Sequence, residues 1–145
     1  MKLDKRWRIL AAIPVLVVGY LIFSAFFPNE DFYKANFKEV TKTDFPANGE
    51  IIYKTTSFPD HFGDYSSCFL VKLDKPDLKK LRNMLKVFKF ERKENKLRTK
   101  ELDNVEGEAG NPSYKETYVY QGGDRHYFVG FVMDGKSVVV LRASW

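Results

Sequence analysis

Residues 9–27 read I-L-A-A-I-P-V-L-V-V-G-Y-L-I-F-S-A-F-F, nineteen positions without a charge, and from Pro28 onward apolar and polar positions alternate in shorter periods. A helix of nineteen residues is roughly 28 Å long, close to the thickness of a bilayer's hydrocarbon core. Pro14 removes one backbone donor, which membrane helices tolerate better than soluble ones. Next, residues 29–42 show helical spacing of Tyr33, Phe37 and Val40, with Asn29 as N-cap and Glu30 and Asp31 in the first turn. After the breaker at Phe45-Pro46-Ala47-Asn48-Gly49, residues 50–56 predict a strand by β-branched content.

Tyr65 to Leu73 alternates, with Tyr65, Ser67, Phe69, Val71 and Leu73 facing one way and Cys68 on the other face. Asp74-Lys75-Pro76-Asp77 opens a helix whose apolar stripe is Leu78, Leu81, Leu85 and Phe88. Residues 89–113 are almost wholly polar and read as a long mobile connection, or a ragged hairpin carrying Phe90 and Leu97. Tyr114–Gln121, Arg125–Met133 and Lys136–Ser144 predict three strands joined at Gly122-Gly123 and Asp134-Gly135. The fold class that follows is α+β: a transmembrane helix, then a small antiparallel sheet with a C-terminal three-stranded meander and one or two helices on one face. The chain divides into a basic flank (1–8), a signal anchor (9–27) and an extracytoplasmic domain (28–145).

Length and charge sharpen this division. With 145 residues there is room for one folded unit. The net charge of +5 suggests nucleic acid as a partner until it is divided along the chain. The flank before the apolar run carries Lys2, Lys5, Arg6 and Arg8 against Asp4, and Trp7 falls where an interfacial anchor belongs. By the positive-inside rule the N-terminus is cytoplasmic and the remainder lies outside, so nucleic acid is not the expected partner. The competing reading, a cleaved signal peptide, fits less well: the run is longer than the usual h-region, and no small-x-small site ends it. One cysteine, Cys68, permits no internal disulfide, and no usable glycosylation sequon occurs, which favours a bacterial inner-membrane protein facing the periplasm. Residues 72–100 hold twelve bases against four acids, and residues 101–124 hold six acids against one Lys. The acidic stretch can neutralise the basic one internally; otherwise the basic stretch meets anionic headgroups or an acidic partner.

Candidate chemistry is sparse. No phosphate-binding loop, zinc spacing or nucleophile elbow occurs, and no cofactor or metal is expected. The strongest constellation is Asp60, His61 and Asp64 in one loop, with Asp124 and His126 beside the Gly-Gly turn. Should loop and turn meet, His61 and His126 are the candidate acid–base pair; turn capping by the aspartates is the simpler account. Tyr114, Tyr118 and Tyr120 are expected on one side of their strand, and Tyr118, Tyr120, Arg125 and Tyr127 offer a protein-binding face alongside the 60–64 loop. The expected function is a membrane-anchored periplasmic module that binds another envelope protein, as an immunity protein or accessory subunit would. A small envelope hydrolase or metal-dependent enzyme, and a structural envelope protein, are the alternatives.

Overall fold

The computed structural model describes the backbone of residues 5–57, 59 and 63–145, and side chains from Leu10 onward. Met1 to Asp4, the side chains of Lys5, Arg6, Trp7 and Arg8, and the whole of Asp60 and His61 lie outside the described residues, so expectations that rest on them concern sequence only. The first helix, α1 (Lys5–Phe26), runs through Pro14. From Leu10 onward its large apolar side chains stay exposed, Leu16 at 71% and Phe23 at 61%. Among the described residues no single helix is long and apolar enough to cross a membrane; Leu10–Phe26 passes by length and composition only together with Glu30–Thr41, bent by 44°.

The second helix, α2 (Glu30–Thr41), begins where expected, the Asn29 side chain accepting a hydrogen bond from Phe32 N at 3.2 Å. Strands β1 (Glu50–Thr56) and β2 (Ser66–Lys72) follow, then α3 (Lys75–Val87). Asp74 stands at the N-cap of α3 in extended conformation, but its side chain makes no cap hydrogen bond. The remaining elements are β3 (Glu91–Arg92), α4 (Lys100–Glu108), β4 (Tyr114–Gly122), β5 (Arg125–Val132) and β6 (Ser137–Ser144).

All six strands form one antiparallel sheet in the order β1-β2-β6-β5-β4-β3. β6 is therefore central, and every residue from Ser137 to Ala143 is buried. A strand covered on both faces reads as a continuous apolar run, which is what V-V-V-L supplies. On one face α2 and α3 bring Phe37, Val40, Leu81 and Leu85 against Phe69, Val129, Phe131 and Val140. On the other, Leu102 and Val105 of α4 cover Cys68, Leu70, Phe128 and Leu141.

Three expectations are corrected here. Residues 89–113 are not a loose connection: α4 lies within them, with Thr99 Oγ1 accepting from Leu102 N at 3.1 Å and two apolar residues one turn apart fully buried. Helices pack on both faces of the sheet rather than one. Tyr114 is not on the side of Tyr118 and Tyr120, because a register shift between Tyr114 and Glu116 sends it to the α4 face, beside Phe128. A bulge inserts one residue and reverses the side-chain alternation.

Candidate functional site

The β4–β5 hairpin sets Tyr120 directly across from Tyr127. Their rings stack with centroids 5.6 Å apart, and Phe90 packs on Tyr120 at 5.7 Å. Gly122 makes room for this: a Cβ there would lie 2.6 Å from the Tyr120 hydroxyl. These aromatics are the floor of a groove of about 430 Å³, which Val40, Val87 and Phe88 line along with them. That volume falls within the range of ordinary ligand sites. Three bases, Lys42, Lys89 and Arg125, complete the lining, and no acid does.

Arg125 and Tyr127 are fixed from below by Glu39 of α2. The Glu39 carboxylate accepts from Arg125 Nη1, from the Tyr127 hydroxyl at 2.9 Å and from Arg142 Nε at 3.4 Å. Arg142 is itself buried and donates to Tyr65 O at 3.0 Å and Ser144 Oγ at 2.7 Å, with its guanidinium 3.9 Å from the Tyr65 ring centre. The Tyr65 hydroxyl donates to Asn36 Oδ1 at 2.7 Å. Burial pushes the phenols of Tyr65 and Tyr127 up, so both stay neutral and act as hydrogen-bond donors. Lys42 is held over the Tyr127 ring, its Nζ 5.9 Å from the centroid. The arrangement offers an apolar aromatic surface rimmed by three bases, of which Arg125 is paired with Glu39.

Of the residues that the sequence singles out for binding, the structure brings Tyr120, Arg125 and Tyr127 together in this groove. Tyr118 shares their face of the strand but is buried in the core, its hydroxyl donating to Glu116 at 2.9 Å. Asp64 lies two residues ahead of β2. His126 goes the other way: its ring is on the α4 side, with Nε2 2.9 Å from Asn95 Oδ1. Because Asn95 Nδ2 donates to Leu97 O, and its Oδ1 accepts from Leu97 N, the imidazole Nε2 is the donor. Among the described residues no three His, Cys, Asp or Glu side chains are placed to hold a metal ion. Burial pushes the Cys68 thiol well above its ordinary value, which makes it a packing residue rather than a nucleophile.

Burial, and secondarily Lys93, hold the His126 imidazole below its ordinary value near 6.5. A base depressed by folding contributes stability that is present above the unfolded value and is lost as pH falls through the folded one. Melting of the parent should therefore drop between pH 7.5 and pH 5 by more than that of His126→Gln. Parallel profiles for the two proteins would contradict this placement.

Sequence reasoning missed Lys42, Lys89, Val87 and Glu39. The basic stretch 72–100 is partly neutralised by the acidic one, through Arg98 with Asp103 and Glu106 and through Arg82 with Glu116 at 3.5 Å. No protein family, characterised protein or solved structure matches the chain, so what the groove does must be argued from its own chemistry.

Proposed function

We propose that the chain is a single-pass, membrane-anchored binding module, with the uncharged run of residues 9–27 in the bilayer and the α+β domain on the periplasmic side, where its groove engages another envelope protein. The observation that carries this reading is the contrast between α1 and the rest. From Leu10 to Phe27 large apolar side chains stay exposed, whereas α2, α3 and α4 each bury an apolar stripe against the sheet. A surface of that kind in water marks a lipid or protein contact. The uncharged sequence from Ile9 to Phe27 and the basic residues before it favour lipid and set the orientation. The groove supplies the binding function, being aromatic at its floor and charged at its rim, as protein-recognition sites often are.

Alkaline extraction of membranes, followed by protease treatment of intact and permeabilised cells, tests the anchored part. The full-length chain should stay in the pellet, and its domain should become protease-sensitive only once the periplasm is opened. Release of the full-length chain into the supernatant would overturn the reading.

A further inference from the structure

We propose that the groove is a docking site for an acidic peptide segment of the partner, one apolar side chain entering the aromatic floor and flanking carboxylates meeting Lys42, Lys89 and Arg125. This rests on the binding-module reading and names its ligand. The first support is charge: three bases and no acid line the groove, and while Glu39 and Asp124 meet Arg125 from outside it, Lys42 and Lys89 form no ion pair among the described residues. They come from three separate places, the end of α2, the residue following the C-cap of α3 and the start of β5. A ligand that serves all three needs several negative groups spread around an apolar centre. A chain carrying neighbouring carboxylates has them, whereas a single carboxylate or phosphate headgroup satisfies one position. Val87 and Phe88, 69% and 39% exposed, carry the apolar lining of the groove out to its edge and give a peptide backbone something to lie along.

The second support is backbone conformation. Among the described residues only three that are not glycine have positive φ: Lys42 at 59°, Lys89 at 60° and Asn111 at 53°. Two of the three line this one groove. Lys42 ends α2 in the left-handed conformation, its N–H bonded to Lys38 O at 2.9 Å. Lys89 does so after α3, where Phe90 N closes onto Leu85 O at 3.1 Å. These are helix-terminating positions that glycine occupies most cheaply, with asparagine next. A lysine side chain does not hydrogen-bond its own turn there as asparagine can, so each position gives up backbone stability for a side chain with a charge, of which Lys42 recovers a part over the Tyr127 ring. Strain of this sort gathers where a ligand is held.

The two supports make one combined prediction. Lys42→Gly and Lys89→Gly should each raise the melting temperature of the full chain by about 3 °C or more. The same changes should weaken binding of an acidic peptide. The probe is a fluorescent, end-blocked peptide with one phenylalanine flanked by two glutamates on each side, added to the full chain in zwitterionic lipid discs. Binding on the order of 10 µM is expected. It should fall several-fold in each glycine variant and at least tenfold in the double variant, weaken with added salt, and vanish when glutamine replaces glutamate. Glycine variants that bind the peptide as the parent does would overturn the proposal, as would variants that melt lower than the parent. Lysine-dependent binding to phosphatidylglycerol vesicles with no binding to the peptide would also overturn it, and would assign the groove to lipid headgroups. The anchored reading fails separately, by alkaline release, so the two failures are distinguishable.

Discussion

Replacing Glu39 by alanine should destabilise the domain by about 3 kcal/mol, lowering its melting temperature on the order of 10 °C. The loss comes from Arg142. Its side chain is only 7% exposed, and Glu39 is the carboxylate that answers its charge. Without it the guanidinium keeps Tyr65 O, Ser144 Oγ and the face of the Tyr65 ring, all of them neutral. A buried charge whose counter-charge is removed costs more than the intact pair contributes, because the desolvation remains and the attraction does not. The Glu39 side chain is 26% exposed, so water entering the gap holds the cost at the low end of the range for a buried pair. Two further variants separate charge from shape. Glu39→Gln keeps the acceptor and should lose less, and Glu39→Ala combined with Arg142→Met should recover part of the loss, since no orphan charge remains. Urea titrations of the three proteins and the parent provide the check. A loss under 1 kcal/mol for Glu39→Ala would mean that Arg142 is solvated well enough without its partner. The groove would also feel the change, because the same carboxylate holds Arg125 and the Tyr127 hydroxyl.

Gly130→Val should cost about 3 kcal/mol, at the upper end for overpacking a core. Gly130 sits in β5 between Thr117 and Val139, and its bare backbone is covered by the Tyr114 ring. A Cβ at this position would lie 2.5 Å from Tyr114 Cε1 and 2.7 Å from Phe128 Cζ. Tyr114 cannot simply swing away. Its ring meets Phe128 edge-on at 5.5 Å, and its hydroxyl donates to Glu106 of α4 at 2.7 Å. The clash is therefore transmitted to the seat of α4. Gly130→Ala should be milder, and combining Gly130→Val with Tyr114→Ala should cost clearly less than the two changes summed. If Gly130→Val unfolds at the parent's urea concentration, the ring does not press on the strand.

The elements that were legible in the sequence are those whose local signals agree with their burial. The Asn29 cap with Tyr33, Phe37 and Val40 gave α2, and Leu78, Leu81 and Leu85 gave α3, because each helix turns one apolar stripe to the sheet. The Asp134-Gly135 turn between two apolar runs gave the β5–β6 hairpin. α4 was hidden because it buries only Leu102 and Val105 among its apolar residues and carries Gly107, too few contacts for periodicity to register. Its start signals were nonetheless present: Thr99 as cap, with Glu101 and Asp103 in the first turn. The bulge beside Glu116 left no mark at all, and with it went the side on which Tyr114 falls. The groove was half legible. Tyr120, Arg125 and Tyr127 stand out as a polar-aromatic strand pair, whereas Lys42 and Lys89 reach it only through the tertiary placement of two helix ends.

The central position of β6 has a consequence for how the molecule is made. Its partners are β2 and β5, and the β2 pairing joins Ser66 to Ala143 and Lys72 to Ser137 across most of the domain. Until those last residues arrive, β1–β2 and β3–β4–β5 are two separate ribbons, each with an uncovered inner edge. Closing so long a loop is slow compared with forming a hairpin. A chain synthesised from its N-terminus would thus wait, open, for its final strand. Unpaired edges invite the wrong neighbour during that interval. Assembly depends less on the parts that emerge first than on the time the two ribbons spend apart.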